Sequence, residues 1–161
     1  MGDLELLCDQ NNIKYKLWTE FDLKEFDLDN LYPKYKNACI SDIMRCHILT
    51  KYGGMYMDSD LKVLDMKELK KYIVNDNSFV IQTHTEVKYT NHIISVQKGY
   101  DFSRFLDNYN IEYGYGVEIF SNFVDTENIK VVEVPLNIIK DYSFNTWKPF
   151  KDIRTKVVTI D

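Results

Sequence analysis

The 161-residue chain is poor in the residues that punctuate or cross-link a fold, with six glycines, three prolines and three cysteines. So little glycine and proline excludes collagen-like or linker-dominated organisation. Cys8, Cys39 and Cys46 are odd in number and lack CxxC spacing. Neither a disulfide framework nor a zinc knuckle is indicated, and a reducing cytoplasm is expected. No basic block occurs, and 20 Lys plus Arg against 25 Asp plus Glu give a formal charge of −5. A nucleic-acid backbone needs the opposite balance, so no nucleic-acid partner is expected. Apolar stretches such as Phe79 to Ile81 and Val131 to Ile139 stop far short of the roughly 20 residues that span a bilayer. The acidic start, Met1-Gly2-Asp3-Leu4-Glu5, is unlike a secretory leader. A peripheral place at a membrane stays open. What the chain does have is 45% hydrophobic residues, 14% of all residues being aromatic. That is enough for one core, and a single domain over 1–161 is expected.

Apolar periodicity divides the chain into alternating elements. Lys14 to Trp18 alternates as a half-buried strand does, and Glu20 to Leu31 reads as a short helix and turns. The clearest element runs from Asn37, a potential cap, through the Gly- and Pro-free stretch Ala38 to Tyr52, to Gly53, which can take the left-handed conformation that ends a helix. Ile40, Ile43, Met44 and Ile48, with the small Ala38 and Cys39, form its core stripe, while Asp42, Arg45 and Leu49 share another face. Cys39 and Cys46, seven apart on one face, read as small buried hydrophobes. Met55 to Met57 then reads as a strand delivering Asp58-Ser59-Asp60, followed by extended Leu61 to Leu64. Helices are expected over 66–72, 102–111 and 117–124, and strands over 78–82, 93–97, 129–134 and 157–160. The alternation predicts an α/β fold with a mixed, mostly parallel central sheet flanked by helices.

Asp58 and Asp60 lie two apart beyond a strand, so both side chains fall on one face and offer the hard oxygens that Mg²⁺, Mn²⁺ or Ca²⁺ prefer. The spacing excludes an EF-hand, because Val63 stands where glycine is required and Leu69 where the bidentate glutamate belongs. A haloacid-dehalogenase phosphatase fits poorly, with Lys62 two residues beyond Asp60. His47, His84 and His92 are scattered without HExxH, which disfavours a zinc hydrolase. The bland alternative is a pair of solvated strand-end acids, with Asp42 and Arg45 an ordinary helix-surface pair.

The run from Ala38 to Asp60 as a whole resembles the core motif of DXD-containing, sugar-nucleotide-dependent retaining glycosyltransferases of family 32. Their pattern is A-x-x-S-D-x-x-R-x-x-x-L on a helix, then G-G-x-Y-x-D-x-D. The clostridial glucosylating toxins carry a related version. Ala38, Ser41, Asp42, Arg45, Leu49, Gly53, Gly54, Tyr56, Asp58 and Asp60 occupy its fixed positions. The resemblance implies a GT-A-like domain that uses a nucleotide-diphosphate sugar, UDP-linked by expectation, with Mn²⁺ or Mg²⁺. It implies Asp42, Arg45, Asp58 and Asp60 as the catalytic set and Ser41, Gly53, Gly54, Tyr56 and Asp58 around the nucleotide and sugar. Asp60 would be the more direct metal ligand, Asp58 acting through water or the ribose. A divalent ion at this pair would neutralise a nucleotide diphosphate as it leaves. The implied acceptor is a saccharide or polysaccharide precursor.

Weaker similarities continue at Lys14 to Trp18, at the asparagine-led stretch Asn91 to Gly99, at Gly114-Tyr115-Gly116 and at Val134-Pro135. The chain departs from the family in lacking the Ile-Pro-Lys-Ile-Ile-His-like strand with which members begin, so an N-terminally shortened domain is expected. The remaining chain would then either close the gap or bind nucleotide poorly. The Gly-Pro turn is not reproduced and no late His-x-x-x-x-x-Trp follows, leaving Trp147 as the aromatic over the donor. Tyr109, Tyr113, Tyr115 and Trp147 are core by default and a carbohydrate platform by alternative, and the histidines read as structural. Two other functions stay in view, a degenerate sugar- or nucleotide-binding domain and a metal-dependent phosphoesterase.

Overall fold

A computed structural model describes residues 3–32, 34–59, 61–73, 79–82, 88–112, 116–141 and 154–159. In chain order these form α1 (Asp3–Gln10), β1 (Lys14–Thr19), two 3-10 turns (Glu20–Phe26, Asp29–Leu31), α2 (Asn37–Tyr52), β2 (Gly54–Asp58), β3 (Leu61–Val63) and α3 (Met66–Lys70). There follow β4 (Phe79–Ile81), β5 (Ile93–Val96), α4 (Ser103–Asn108), α5 (Gly116–Thr126), β6 (Val131–Glu133), β7 (Ile139–Asp141) and β8 (Arg154–Thr159).

Six strands form one sheet in the order β1-β8-β2-β5-β4-β6, and β3 pairs with β7 in a separate ribbon. The α/β class with a mixed, helix-flanked sheet is as the alternation predicts. Four strands, β1, β2, β4 and β6, run in one direction, yet only β4 and β6 among them are hydrogen-bonded neighbours. The reversed strands β8 and β5 are interleaved, so pairing is mainly antiparallel where a mostly parallel sheet was expected. The connection between β4 and β5, residues 82–92, is too short to carry a helical crossover, and β5 therefore returns antiparallel. β8 lies between β1 and β2, with Thr155 opposite both Trp18 and Asp58.

The two faces of β2 explain the layering. Met55 and Met57 point to one core cluster, with Cys8 of α1, Ile13, Met66 and Leu69 of α3, Val80 and Ile93. Tyr56 points to the other, with Ile40, Met44 and Ile48 of α2, Phe79, Phe105 and Phe120. The period of two in the strand meets the period of 3.6 in α2, and helices cover both faces of the sheet.

The start of α2 differs from the sequence reading. Asn37 is its first helical residue and Lys36 its N-cap, without a side-chain cap bond. Gly53 ends it as expected, at φ +68°, donating to Leu49 O at 2.8 Å. A Cβ there would sit 2.5 Å from the backbone nitrogen of Lys98, so glycine is required by packing as well as by φ. Among the described residues no helix is long and apolar enough to cross a membrane.

Candidate functional site

α2 and β2 run past one another so that Ser41, Asp42 and Arg45 meet Tyr56 and Asp58. Asp42 lies on the inner side of α2 at 7% exposure and Arg45 at 5%. Arg45 Nη2 is 2.9 Å from Asp42 Oδ1 and 3.5 Å from Asp58 Oδ1, so one guanidinium bridges both carboxylates. Its Nε donates to Ser41 O at 3.2 Å, Nη1 donates to Asn91 O, and Cζ stands 4.4 Å from the Tyr56 ring centroid. A planar fork of donors is what such a shared position needs, and lysine could not supply it.

Asn91, just before β5, accepts from Arg45 through its carbonyl and donates from Nδ2 to Asp42 Oδ1 at 2.8 Å. Tyr109, at the end of α4, donates its phenol to Asp42 Oδ2 at 2.8 Å. Gly116 opens α5 against the same oxygen, where a Cβ would come within 1.9 Å of Oδ2. Burial raises the Asp42 pKa above the carboxylate range, against the lowering pull of Arg45, Tyr109 and Asn91. Burial alone would lower the Arg45 pKa, but the Asp58 and Asp42 carboxylates beside it carry it upward, so it stays protonated. Tyr56 and Tyr109 are both raised, burial first and the adjacent carboxylates adding to it, so both phenols keep their protons.

Asp58 ends β2 with its side chain 31% exposed. Tyr56 donates its phenol to Asp58 Oδ1, leaving Tyr56 the acceptor toward Ser41 Oγ at 3.3 Å. Among the described residues both internal donors reach Oδ1, and none reaches Oδ2. Among the described residues the network therefore holds the carboxylate through Oδ1. The Asp58 N–H donates to His92 O at 2.9 Å, which places His92 opposite it across the β2–β5 pairing. The Thr90 hydroxyl donates to Gln82 O at 2.6 Å, so at 3.0 Å from His92 Nε2 it can only accept. Gln82 Oε1 lies 3.2 Å from the same His92 nitrogen.

The structure thus brings Ser41, Asp42, Arg45, Tyr56 and Asp58 into one bonded constellation, from residues the sequence reading singled out. It does not bring Gly53 and Gly54 to them. They stand at the opposite end of β2, Gly54 roughly 13 Å from Asp58 at about 3.3 Å per residue, and the backbone that Gly53 approaches is that of Lys98. Asp60, Tyr113, Gly114, Tyr115, Trp147 and His84 lie outside the described residues. Among the described residues no group of three His, Cys, Asp or Glu side chains is set to hold a metal. Asn91 and Tyr109 complete the constellation, although the sequence reading left both out of the site. Asn91 carried a signal as the head of the asparagine-led stretch. Tyr109 carried none beyond its aromatic character.

A helix-borne Asp–Arg pair locked to a strand-end aspartate, on a helix-covered mixed sheet, defines an α/β protein with a built polar site at its strand ends. The family model for capsular polysaccharide synthesis proteins matches residues 3–147, and the chain belongs to that family. That family places it in polysaccharide synthesis. No curated protein and no solved structure gives a significant match.

Proposed function

We propose that the chain is a metal-dependent glycosyltransferase that moves a sugar from a nucleotide-diphosphate sugar, UDP-linked by preference, to a saccharide or polysaccharide precursor, with retention. The supporting observation is Asp58, a partly exposed strand-end carboxylate fixed through Oδ1, with no partner on Oδ2 among the described residues. Mg²⁺ and Mn²⁺ in nucleotide sites use one or two protein carboxylates and complete their shell with phosphate oxygens and water. Asp58 fits that part, with Asp60 as the second carboxylate by the motif. When bound, such an ion neutralises charge on the departing diphosphate. Asp42 and Asn91 would receive the sugar hydroxyls, Arg45 would hold Asp42 and Asp58 in fixed relation, and Tyr56 with Ser41 would orient Asp58. Membership of the capsular polysaccharide synthesis family supports the acceptor class. We place the reaction in the cytoplasm.

A second reading, a sugar- or nucleotide-binding domain without turnover, is favoured by one fact. Asp42 and Arg45 are nearly inaccessible and satisfy each other. The test is release of UDP or GDP from sugar nucleotides with Mn²⁺, with and without a saccharide acceptor. Turnover lost in Asp58→Asn supports the transferase. Binding without turnover supports the second reading, and release of phosphate from simple esters instead would overturn both.

A further inference from the structure

Asp42 is the carboxylate on the inner side of the site, and four groups cover it. Arg45 and Asn91 bind Oδ1, and both are 5% exposed. Displacing Arg45 would strip Asp58 of its cation as well, and displacing Asn91 would remove the carbonyl that holds Arg45 Nη1. Gly116 is backbone, the buried first residue of α5, pressed on Oδ2 with no room for even a Cβ. The fourth group is Tyr109, which is half-buried, follows a helix of only six residues, and donates a neutral hydroxyl to Oδ2 at 2.8 Å. Of the four, it alone can leave without releasing Arg45 or moving a helix backbone.

We propose that Tyr109 is a specificity-determining residue whose phenol holds, on Asp42 Oδ2, the acceptor position that a hydroxyl of the bound sugar takes over. One hydroxyl donor replaces another, so the carboxylate is never left unsatisfied, and the exchange is close to balanced. Gly116 closes its own side of Asp42, where even a Cβ has no room. A ligand without a sugar leaves the phenol in place, and a sugar whose hydroxyl cannot reach Oδ2 gains nothing from displacing it. This inference rests on the donor-site reading of Asp42 and adds the residue that gates it.

The experiment is calorimetric titration of the whole chain with UDP, GDP, UDP-glucose, UDP-galactose, UDP-N-acetylglucosamine and GDP-mannose in the presence of Mn²⁺, for wild type and Tyr109→Phe. The variant keeps the ring and removes the competing hydroxyl. The preferred sugar nucleotide should bind it about ten-fold tighter than wild type, the worth of one hydrogen bond to a charged group. UDP and GDP should bind both proteins equally. A second measurement places 3-fluorotyrosine at position 109, where the sugar nucleotide should move the fluorine resonance and the bare nucleotide should not. Equal change toward nucleotide and sugar nucleotide, no change, or a fluorine signal indifferent to the sugar would overturn the role of Tyr109 while leaving the donor reading intact. Wild type that binds none of the six ligands would overturn the donor reading itself and this inference with it.

Discussion

Gly116→Ala tests the packing around Asp42 with a sign opposite to the usual one. Replacing glycine by alanine in a helix ordinarily stabilises by about 0.5–1 kcal/mol through helix propensity and a less flexible unfolded chain. At position 116 the new Cβ would stand 1.9 Å from Asp42 Oδ2, 2.6 Å from Cγ and 3.0 Å from Oδ1. A free carboxylate would rotate away, but this one is pinned by Arg45 at 2.9 Å, Asn91 at 2.8 Å and Tyr109 at 2.8 Å. Yielding by the necessary ångström breaks at least the Tyr109 bond, worth about 1.5–3 kcal/mol for a bond to a charged group. Overpacking adds about 1–3 kcal/mol. Against the propensity gain, the variant should lose about 2 kcal/mol or more in urea denaturation at pH 7, with an unchanged m-value. A stability equal to wild type or higher would refute the geometry of Asp42 and Gly116.

Arg45→Ala leaves Asp42 buried without its cation and should lose about 3–5 kcal/mol, read by the same denaturation. Asp58→Asn should leave the unfolding free energy within about 1 kcal/mol of wild type, because the side chain is about a third exposed, and should abolish Mn²⁺-dependent nucleotide binding. Burial against Phe26 holds the His47 pKa below 6.5. The folded state therefore binds fewer protons there than the unfolded chain, and stability falls as pH drops through about 6.5 and below. His47→Gln should flatten that slope between about pH 6.5 and 5 in a pH series of melting curves. Among the described strands β1 pairs with β8 alone. A chain ending at residue 153 should lose hydrogen-exchange protection across Lys14–Thr19 while α2 keeps it.

The segment from α2 to β2 was the most legible part of the chain, because its periodicity, the closing Gly53 and the alternating Met55, Tyr56 and Met57 agree at every level. Most of the other elements also fall within a few residues of their expected places. Two were missed. In α1, Leu4, Leu7 and Cys8 have helical spacing and pack on the sheet, yet the segment is short and reads first as an acidic terminus. β7 is three residues long and exists as the partner of β3, a pairing no local pattern encodes. The order of the strands was hidden for the same reason, since the place of β8 between β1 and β2 joins residues far apart in the chain. In the site, spacing within α2 and β2 placed Asp42 with Arg45 and Tyr56 with Asp58. That Arg45 joins the two pairs, and that Tyr109 closes over Asp42, depends on α4 and α5 folding back onto α2, which spacing within one element cannot show.

Asp58 is proposed to present a carboxylate to the metal-bound diphosphate of a sugar nucleotide. The most direct test is a thermal-shift titration with UDP, GDP and their sugars, with and without Mn²⁺, on wild type, Asp58→Asn and Asp60→Ala, since a ligand that binds only the folded state raises its melting temperature. Wild type should show a Mn²⁺-dependent rise that disappears in both variants. A rise that survives in Asp58→Asn, or none with any nucleotide, would contradict it.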